Sequence, residues 1–235
     1  MLEELKKEVC AANKLLFDYG LVILTFGNVS GFDRESNLMV IKPSGINYRS
    51  MTPDDMVVVD INGKTVEGNL LPSGDTPMHL ELYKNFKAVS GIAHTHSKWA
   101  TVWAQSGRDM PAYGVTHADH FNGTITCTGD ITSWQIENSY EKSTGISIIE
   151  KVGGRNPLKV PAMFIKHHGP VVWGETSMSA VENAIVLENA AMTAWHTEKL
   201  FSEKEMKDIA ESLMEKHFNR KNGPGKTYGQ RVIKD

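Results

Sequence analysis

Cysteine is nearly absent from this chain: Cys10 and Cys127 are the only two in 235 residues. They are too few and too far apart to frame a disulfide scaffold, and they suit the reducing cytosol. No stretch approaches the roughly 20 apolar residues that span a bilayer. The opening MLEELKKEVC mixes acidic and basic side chains from the start, unlike a signal peptide, so a cytoplasmic protein is expected. An excess of one charge is missing too. With 25 Lys and Arg against 28 Asp and Glu the net charge is −3, which offers little to a nucleic acid or an anionic membrane. No repeat, low-complexity tract or linker divides the sequence, and neither the Walker A nor the dinucleotide glycine spacing occurs. What remains is an ordinary soluble composition, 40% hydrophobic and 23% charged, of a length that one core can organise.

The apolar pattern alternates between helix and strand periods. Leu2, Leu5, Val9, Ala12 and Leu16 share one helical face, with Gly20 as a stop. LVILTFGNVS (21–30) reads as a buried strand running into a small-residue turn, and LMVIKPSG (38–45) as a second strand. MVVVDINGKTVEG (56–68) is a hairpin with Asn62-Gly63 at its turn. Thr76-Pro77 predicts an N-cap and first helical residue for TPMHLELYKNF. SGIAHTHS (90–97) reads as a strand before the helix KWATVWAQSG, and TSWQIENSYEKSTG (132–145) as a further helix. PAMFIKHHGPVVWG (161–174) reads as two strands about a Gly-Pro turn. Residues 177–201 form the strongest helical pattern, with Val181, Ile185, Met192 and Trp195 as core candidates. KEMKDIAESLMEKHF is a last helix before an irregular tail. Several strands are joined by hairpins, so the expected fold is a single α/β domain with a central, mostly antiparallel sheet flanked by helices.

His94 and His96 stand one residue apart at the end of an apolar run. On a strand, i and i+2 share a face, their Cα atoms roughly 6.5–7 Å apart, so two imidazoles can converge on one ion or simply be polar residues at a strand end. A third ligand must come from His79, His117, His120, His167, His168, His196 or His217. His168 stands out because FIKHHGP sets it at a strand end beside a tight turn. Asp75, before a helix, is either a carboxylate favoured by the macrodipole or an oxygen ligand. Three small-residue turns, at Gly27-Asn28, Ser44-Gly45 with Lys42 nearby, and Ser73-Gly74, can offer backbone N–H groups and hydroxyls to an anion.

Taken in order, GNVS, KPSG, SGDTPMH, AHTHS, THADHF, HHGP and YGQ resemble the class II aldolase and adducin-head family, and within it the L-ribulose-5-phosphate 4-epimerases. The resemblance runs from Met1 to about Gln230. It implies that His94, His96 and His168, with Asp75 alongside, bind a divalent ion, usually Zn2+, with Mn2+ or Co2+ as alternatives. It implies that Gly27, Asn28, Lys42, Ser44, Gly45, Ser73 and Gly74 hold a sugar phosphate. Acid/base roles fall to Asp119 and Tyr228, assisted by His217 and Arg220. Family members are C4 homotetramers with active sites between subunits, so the tail from about 219 to 235 is expected to reach a neighbour.

One departure stands in the motif: the epimerase pattern has Ser-Ser-Asp where this chain has Ser73-Gly74-Asp75, so one phosphate-facing hydroxyl is missing. Sister aldolases carry glutamate at the position of Asp75, which favours the epimerase reading. The implied reaction interconverts L-ribulose 5-phosphate and D-xylulose 5-phosphate by opening and reclosing the C3–C4 bond. The pathway served is arabinose breakdown or that of an ascorbate-like sugar acid. The rivals are a sugar-phosphate aldolase or a sugar-acid epimerase of the same family, a metal-dependent hydrolase, and a non-catalytic adducin-like module. HTHSKW lacks the His-x-His-x-Asp-His run of the hydrolases, and a binding module has no need of three ligands together with Asp119 and Tyr228.

Overall fold

A computed structural model describes residues 2–201, 207–224 and 226–229. Helix α1 (Glu3–Asp18) precedes four strands, β1 (Asn28–Asp33), β2 (Leu38–Ile41), β3 (Val57–Asp60) and β4 (Thr65–Glu67). Then come α2 (Thr76–Asn85), β5 (Gly91–His94), α3 (Lys98–Ser106), α4 (Val115–Ala118) and α5 (Ser133–Val152). The hairpin β6 (Ala162–Ile165) and β7 (Gly169–Gly174) leads into α6 (Ser177–Leu200) and α7 (Glu211–Asn222). The seven strands form one sheet in the order β4-β3-β2-β1-β5-β7-β6, and every ladder is antiparallel.

Strand alternation sorts the side chains into two layers. Val29, Ala93, Phe164 and Val172 pack with α1, α3 and α6 on one face. Phe32, Ile92, Met163 and Trp173 pack with α2 and α5 on the other. Against the first face α6 lays its small residues, Ala180, Ala184, Ala191 and Ala194, with Val181 and Leu187. Ile185, Met192 and Trp195, expected in the core, are only half-buried. The small-residue face allows the long helix to approach the sheet closely.

Several boundaries differ from the sequence pattern. Residues 21–27 are not a strand: β1 begins at Asn28, Leu24 takes a left-handed φ of 54°, and Ile23, Leu24 and Phe26 are exposed. An apolar run without a ladder partner cannot behave as a buried strand, and here it passes close to His96, whose ring lies 6.0 Å from that of Phe26. The cap of α2 is Asp75 rather than Thr76; Thr76 Oγ1 instead donates to the Ser73 carbonyl at 2.7 Å. The β6–β7 turn is made by Lys166-His167-His168, with His167 at φ 61°, while Gly169-Pro170 lies inside β7. Helix α5 runs on to Val152 and is kinked at Ser139. Helix α7 begins at Glu211 and takes in Asn219–Asn222, expected in the tail. Residues 202–206, where the last helix was expected to begin, and 230–235 of the expected tail lie outside the described residues.

Candidate active site

His94 closes β5, His96 follows two residues later on the same side, and His168 ends the turn before β7. Because β5 pairs with β7, with His94 opposite Val171, the two ligand-bearing segments are neighbours by construction. Gly169 is what lets them touch: a Cβ there would lie 2.5 Å from the Thr95 carbonyl oxygen. Gly27, at φ +81°, likewise admits close approach to the His94 carbonyl oxygen, which a Cβ would meet at 2.9 Å.

One potential ligand atom from each of His94, His96 and His168 falls within 4.8 Å of the others. His94 Nε2 and His96 Nε2 are 3.2 Å apart. Two nitrogens bound tetrahedrally at about 2.0–2.1 Å from one zinc would stand at about that spacing. The His94 Nδ1 lies 3.0 Å from the Pro170 carbonyl oxygen and can only donate to it, which leaves the Nε2 lone pair free. His168 is braced by Tyr140, whose hydroxyl is 3.0 Å from His168 Nδ1. Burial, then the neighbouring His94 and His96, push His168 down to about 4, and burial lowers His96 as well. Neutral imidazoles with free lone pairs are what a divalent ion requires, so these residues fit one.

Asp75 is adjacent but is not one of the converging donors. Its Oδ2 accepts from Asn28 Nδ2 at 2.6 Å. Burial opposes its charge, yet His94, His79 and the Asn28 amide together hold the carboxyl below its usual range. Asn28 Nδ2 also reaches Ser73 Oγ at 3.1 Å, tying two of the small-residue turns together. The third is drawn in by the backbone: Ser44 N–H donates to the Leu71 carbonyl at 2.9 Å and Ser73 N–H to the Lys42 carbonyl at 3.1 Å. Gly45 and Gly74 sit exposed on this rim. Lys42 is buried beneath it, donating to the Thr25 and Pro43 carbonyls, its Nζ 4.7 Å over the Tyr48 ring. Burial pushes its pKa down to about 8, with Asp75 opposing.

Asp119 gathers a second cluster. It lies just past α4 and accepts from Arg220 Nε at 3.0 Å and Arg220 Nη2 at 2.8 Å. His217 Nδ1 stands 3.0 Å from the same carboxylate. Burial would raise this carboxyl, but Arg220 and His217 hold it below its usual range. Tyr228 is exposed, its N–H bonded to the Arg220 carbonyl at 3.1 Å and its ring 5.6 Å from the Arg220 guanidinium carbon. No interaction described for these four residues reaches the imidazoles. The sequence-predicted residues therefore form two groups within one chain.

Sequence reasoning overlooked Tyr140 and Tyr48. Tyr48 fixes the turn by donating to the Phe26 and Gly27 carbonyls at 3.0 and 2.7 Å. Nothing in the sequence pattern marked either tyrosine. Among the described residues no helix is long and apolar enough to cross a membrane.

Residues 7–195 match the class II aldolase and adducin N-terminal domain. The chain belongs to that family. This class II aldolase-like chain is 28% identical to an L-fuculose 1-phosphate aldolase of known structure, with a TM-score of 0.79 over 92% of this chain and 95% of that one. An L-fuculose 1-phosphate aldolase from Glaciozyma antarctica PI12 is 19% identical, TM-score 0.75, covering 93% and 81% respectively. A sugar-phosphate aldolase from Thermotoga maritima is 18% identical, TM-score 0.64, covering 84% and 96%. The last two establish the likeness of fold alone. The expected architecture, a single antiparallel α/β domain flanked by helices, is the one found.

Proposed function

We propose that this protein is a divalent-metal-dependent L-ribulose-5-phosphate 4-epimerase, forming and breaking the C3–C4 bond of a ketopentose phosphate. The observation that carries this reading is the convergence of three imidazoles beside an ionised aspartate and three small-residue turns. An aspartate at position 75, rather than the longer glutamate of the sister aldolases, favours epimerisation. Zn2+ is the proposed ion, held by His94, His96 and His168 with Asp75 alongside. In this reading the turns at Gly27-Asn28, Ser44-Gly45 and Ser73-Gly74, with Lys42, hold the substrate phosphate through backbone N–H groups, hydroxyls and charge.

The substrate's own chemistry dictates the route. Its ketone is at C2, so the C4 proton is not acidic and direct deprotonation is unfavourable. Opening C3–C4 instead leaves the electron pair conjugated with the C2 carbonyl. A divalent ion at the three imidazoles supplies Lewis-acid stabilisation of that charge. The O4 proton must leave as the bond opens and return when the aldehyde fragment, turned over, is attacked on its other face. That needs two acid/base groups on opposite sides, the roles proposed for Asp119 and Tyr228, with His217 and Arg220 setting the charge of Asp119. Since these residues stand apart from the imidazoles within one chain, we assign them to the site of a neighbouring subunit in a C4 tetramer, working in the cytosol.

Metal-loaded protein should convert L-ribulose 5-phosphate to D-xylulose 5-phosphate in D2O without placing deuterium at C4. Deuterium entering C4 in step with turnover would refute the route. The second reading, a sugar-phosphate aldolase, is favoured by the 28% identity to the L-fuculose 1-phosphate aldolase. It predicts net release of aldehyde from L-fuculose 1-phosphate and no epimer.

A further inference from the structure

Two of the three imidazoles have a brace of their own, His94 at the Pro170 carbonyl and His168 at Tyr140. His96 has none: among the described residues its one side-chain hydrogen bond is to His94, itself in the cluster. Its direction is therefore set by its main chain. On one side the Thr95 N–H donates to the Pro170 carbonyl at 3.3 Å. On the other, Ser97 is already the N-cap of α3 and Lys98 its first residue. Where α3 begins bears directly on where His96 points.

A helix start needs acceptors for its first N–H groups, and a serine N-cap ordinarily supplies one from its own hydroxyl. Ser97 does not; its Oγ accepts instead from Thr95 Oγ1 at 3.2 Å. The acceptors come from α6. Glu188 Oε1 accepts from the Trp99 N–H at 2.9 Å, and Oε2 from the Ala100 N–H at 3.0 Å. These are the second and third helical N–H groups, the ones a serine cap serves, and a carboxylate there also suits the positive end of the helix. A local cap stabilises a helix wherever the helix lies, whereas a cap from α6 also fixes the start of α3 relative to α6. Helix α6 packs against β5 and β7 as well as α3, so the segments carrying all three imidazoles are referenced to one element. One turn farther from His96, Trp103 Nε1 donates to the Ala191 carbonyl at 3.0 Å, a second tether between the same helices.

We propose that Glu188 is a positioning residue for the metal site: by capping α3 from α6 it fixes the main chain beside His96, and so the place of that imidazole in the cluster. Its described bonds go to main-chain N–H groups alone. The role rests on reading the three imidazoles as ligands of a divalent ion, and not on the reaction performed there.

The test reads Co2+ bound to the full-length protein, whose visible absorption reports ligand geometry independently of turnover. Glu188→Ala should weaken Co2+ binding about tenfold, the lower end of losses from groups that orient metal ligands, and should alter the absorption band. Circular dichroism of the metal-free variant should stay native. Glu188→Gln keeps the reach and one accepting oxygen, so it should fold even where the alanine variant does not, and should lose a smaller part of the affinity. Trp103→Phe removes the second tether and leaves the cap. It should lower the thermal midpoint without altering Co2+ affinity or spectrum. Wild-type affinity and spectrum in a folded Glu188→Ala, or in Glu188→Gln where the alanine variant does not fold, would overturn the proposal. So would an equal loss of affinity in Trp103→Phe, which would reduce Glu188 to general packing. A wild-type chain that takes up no divalent ion would overturn the metal reading and this role together. The expected losses in a protein inactive on L-ribulose 5-phosphate would refute the epimerase reading alone and leave the role of Glu188 standing.

Discussion

His94 and His168 are each braced by a group outside the imidazole cluster, whereas the surroundings of Asp119 and Tyr228 are half open. The imidazoles sit at and just beyond the ends of the paired strands β5 and β7, with His94 braced by Pro170 and His168 by Tyr140. Asp119 is held by one helix, α7, whose residues are nowhere fully buried, and Tyr228 stands largely in solvent. The contrast separates two tasks. Coordination demands fixed lone pairs, which strand ends deliver. The proton transfer proposed at a subunit boundary would need groups that project outward, as those on this exposed helix and Tyr228 do.

The largest expected effect breaks the closed half alone. His96→Asn should remove bound metal and lower kcat by more than about a hundredfold, beyond the range of outer-partner losses, while circular dichroism stays native. Wild-type metal content and rate in that variant would refute the assignment. The open half is tested by mixing. In the proposed ring, each site would take imidazoles from one subunit and Tyr228 from the next. Randomly reassembled His96→Asn and Tyr228→Phe subunits should then regain about a quarter of wild-type activity, because a heterologous contact pairs intact halves at that frequency. Verified mixed tetramers with no recovery would place both halves in one subunit.

A smaller effect appears in the metal-free protein as a pH dependence to which the closed half contributes. His79 and His168 sit at about 4 in the folded chain against 6.5 for a free imidazole. Between those values the unfolded chain binds protons that the folded chain refuses. Stability is therefore full above about pH 6.5 and falls as pH drops toward 4, with His79 contributing on the order of 3 kcal/mol. Denaturant midpoints measured across that window should show the decline, and His79→Gln should lessen it while the share of His168 remains. The smallest effect concerns the rim. Gly74 has open space where a Cβ would go, so Gly74→Ser can restore the missing hydroxyl without strain. One added hydrogen bond of about 0.5–1.5 kcal/mol should lower KM by roughly two- to tenfold. An unchanged KM would remove Gly74 from the phosphate site.

Much of the closed half was legible in sequence because its spacing is local. His94-x-His96 needs only the period of a strand, and the sheet follows from hairpin signals such as Asn62-Gly63, where the β3–β4 turn indeed forms. Other features depend on what packs against what. Residues 21–27 are as apolar as a strand, yet no neighbour pairs with them. Residues Ile185, Met192 and Trp195 fit a helical stripe, but α6 turns its alanines inward. Tyr140 reaches His168 from a helix 28 residues away in sequence, a distance no local pattern spans. The partnership of His79 with Ser30 likewise exists only once α2 lies along β1.

The close contact at Gly169 has a mechanical consequence. With the start of β7 pressed against the Thr95 carbonyl, the two stretches that carry the imidazoles are interlocked by main chain rather than by side chains. A divalent ion arriving from solvent would find its seat already shaped and have no chain to gather. Loading and exchange should then track ligand protonation and access through the mouth, not any refolding of the sheet. Chelators would strip such a protein to an empty but intact shell, ready to take up a different ion from whatever the surroundings provide.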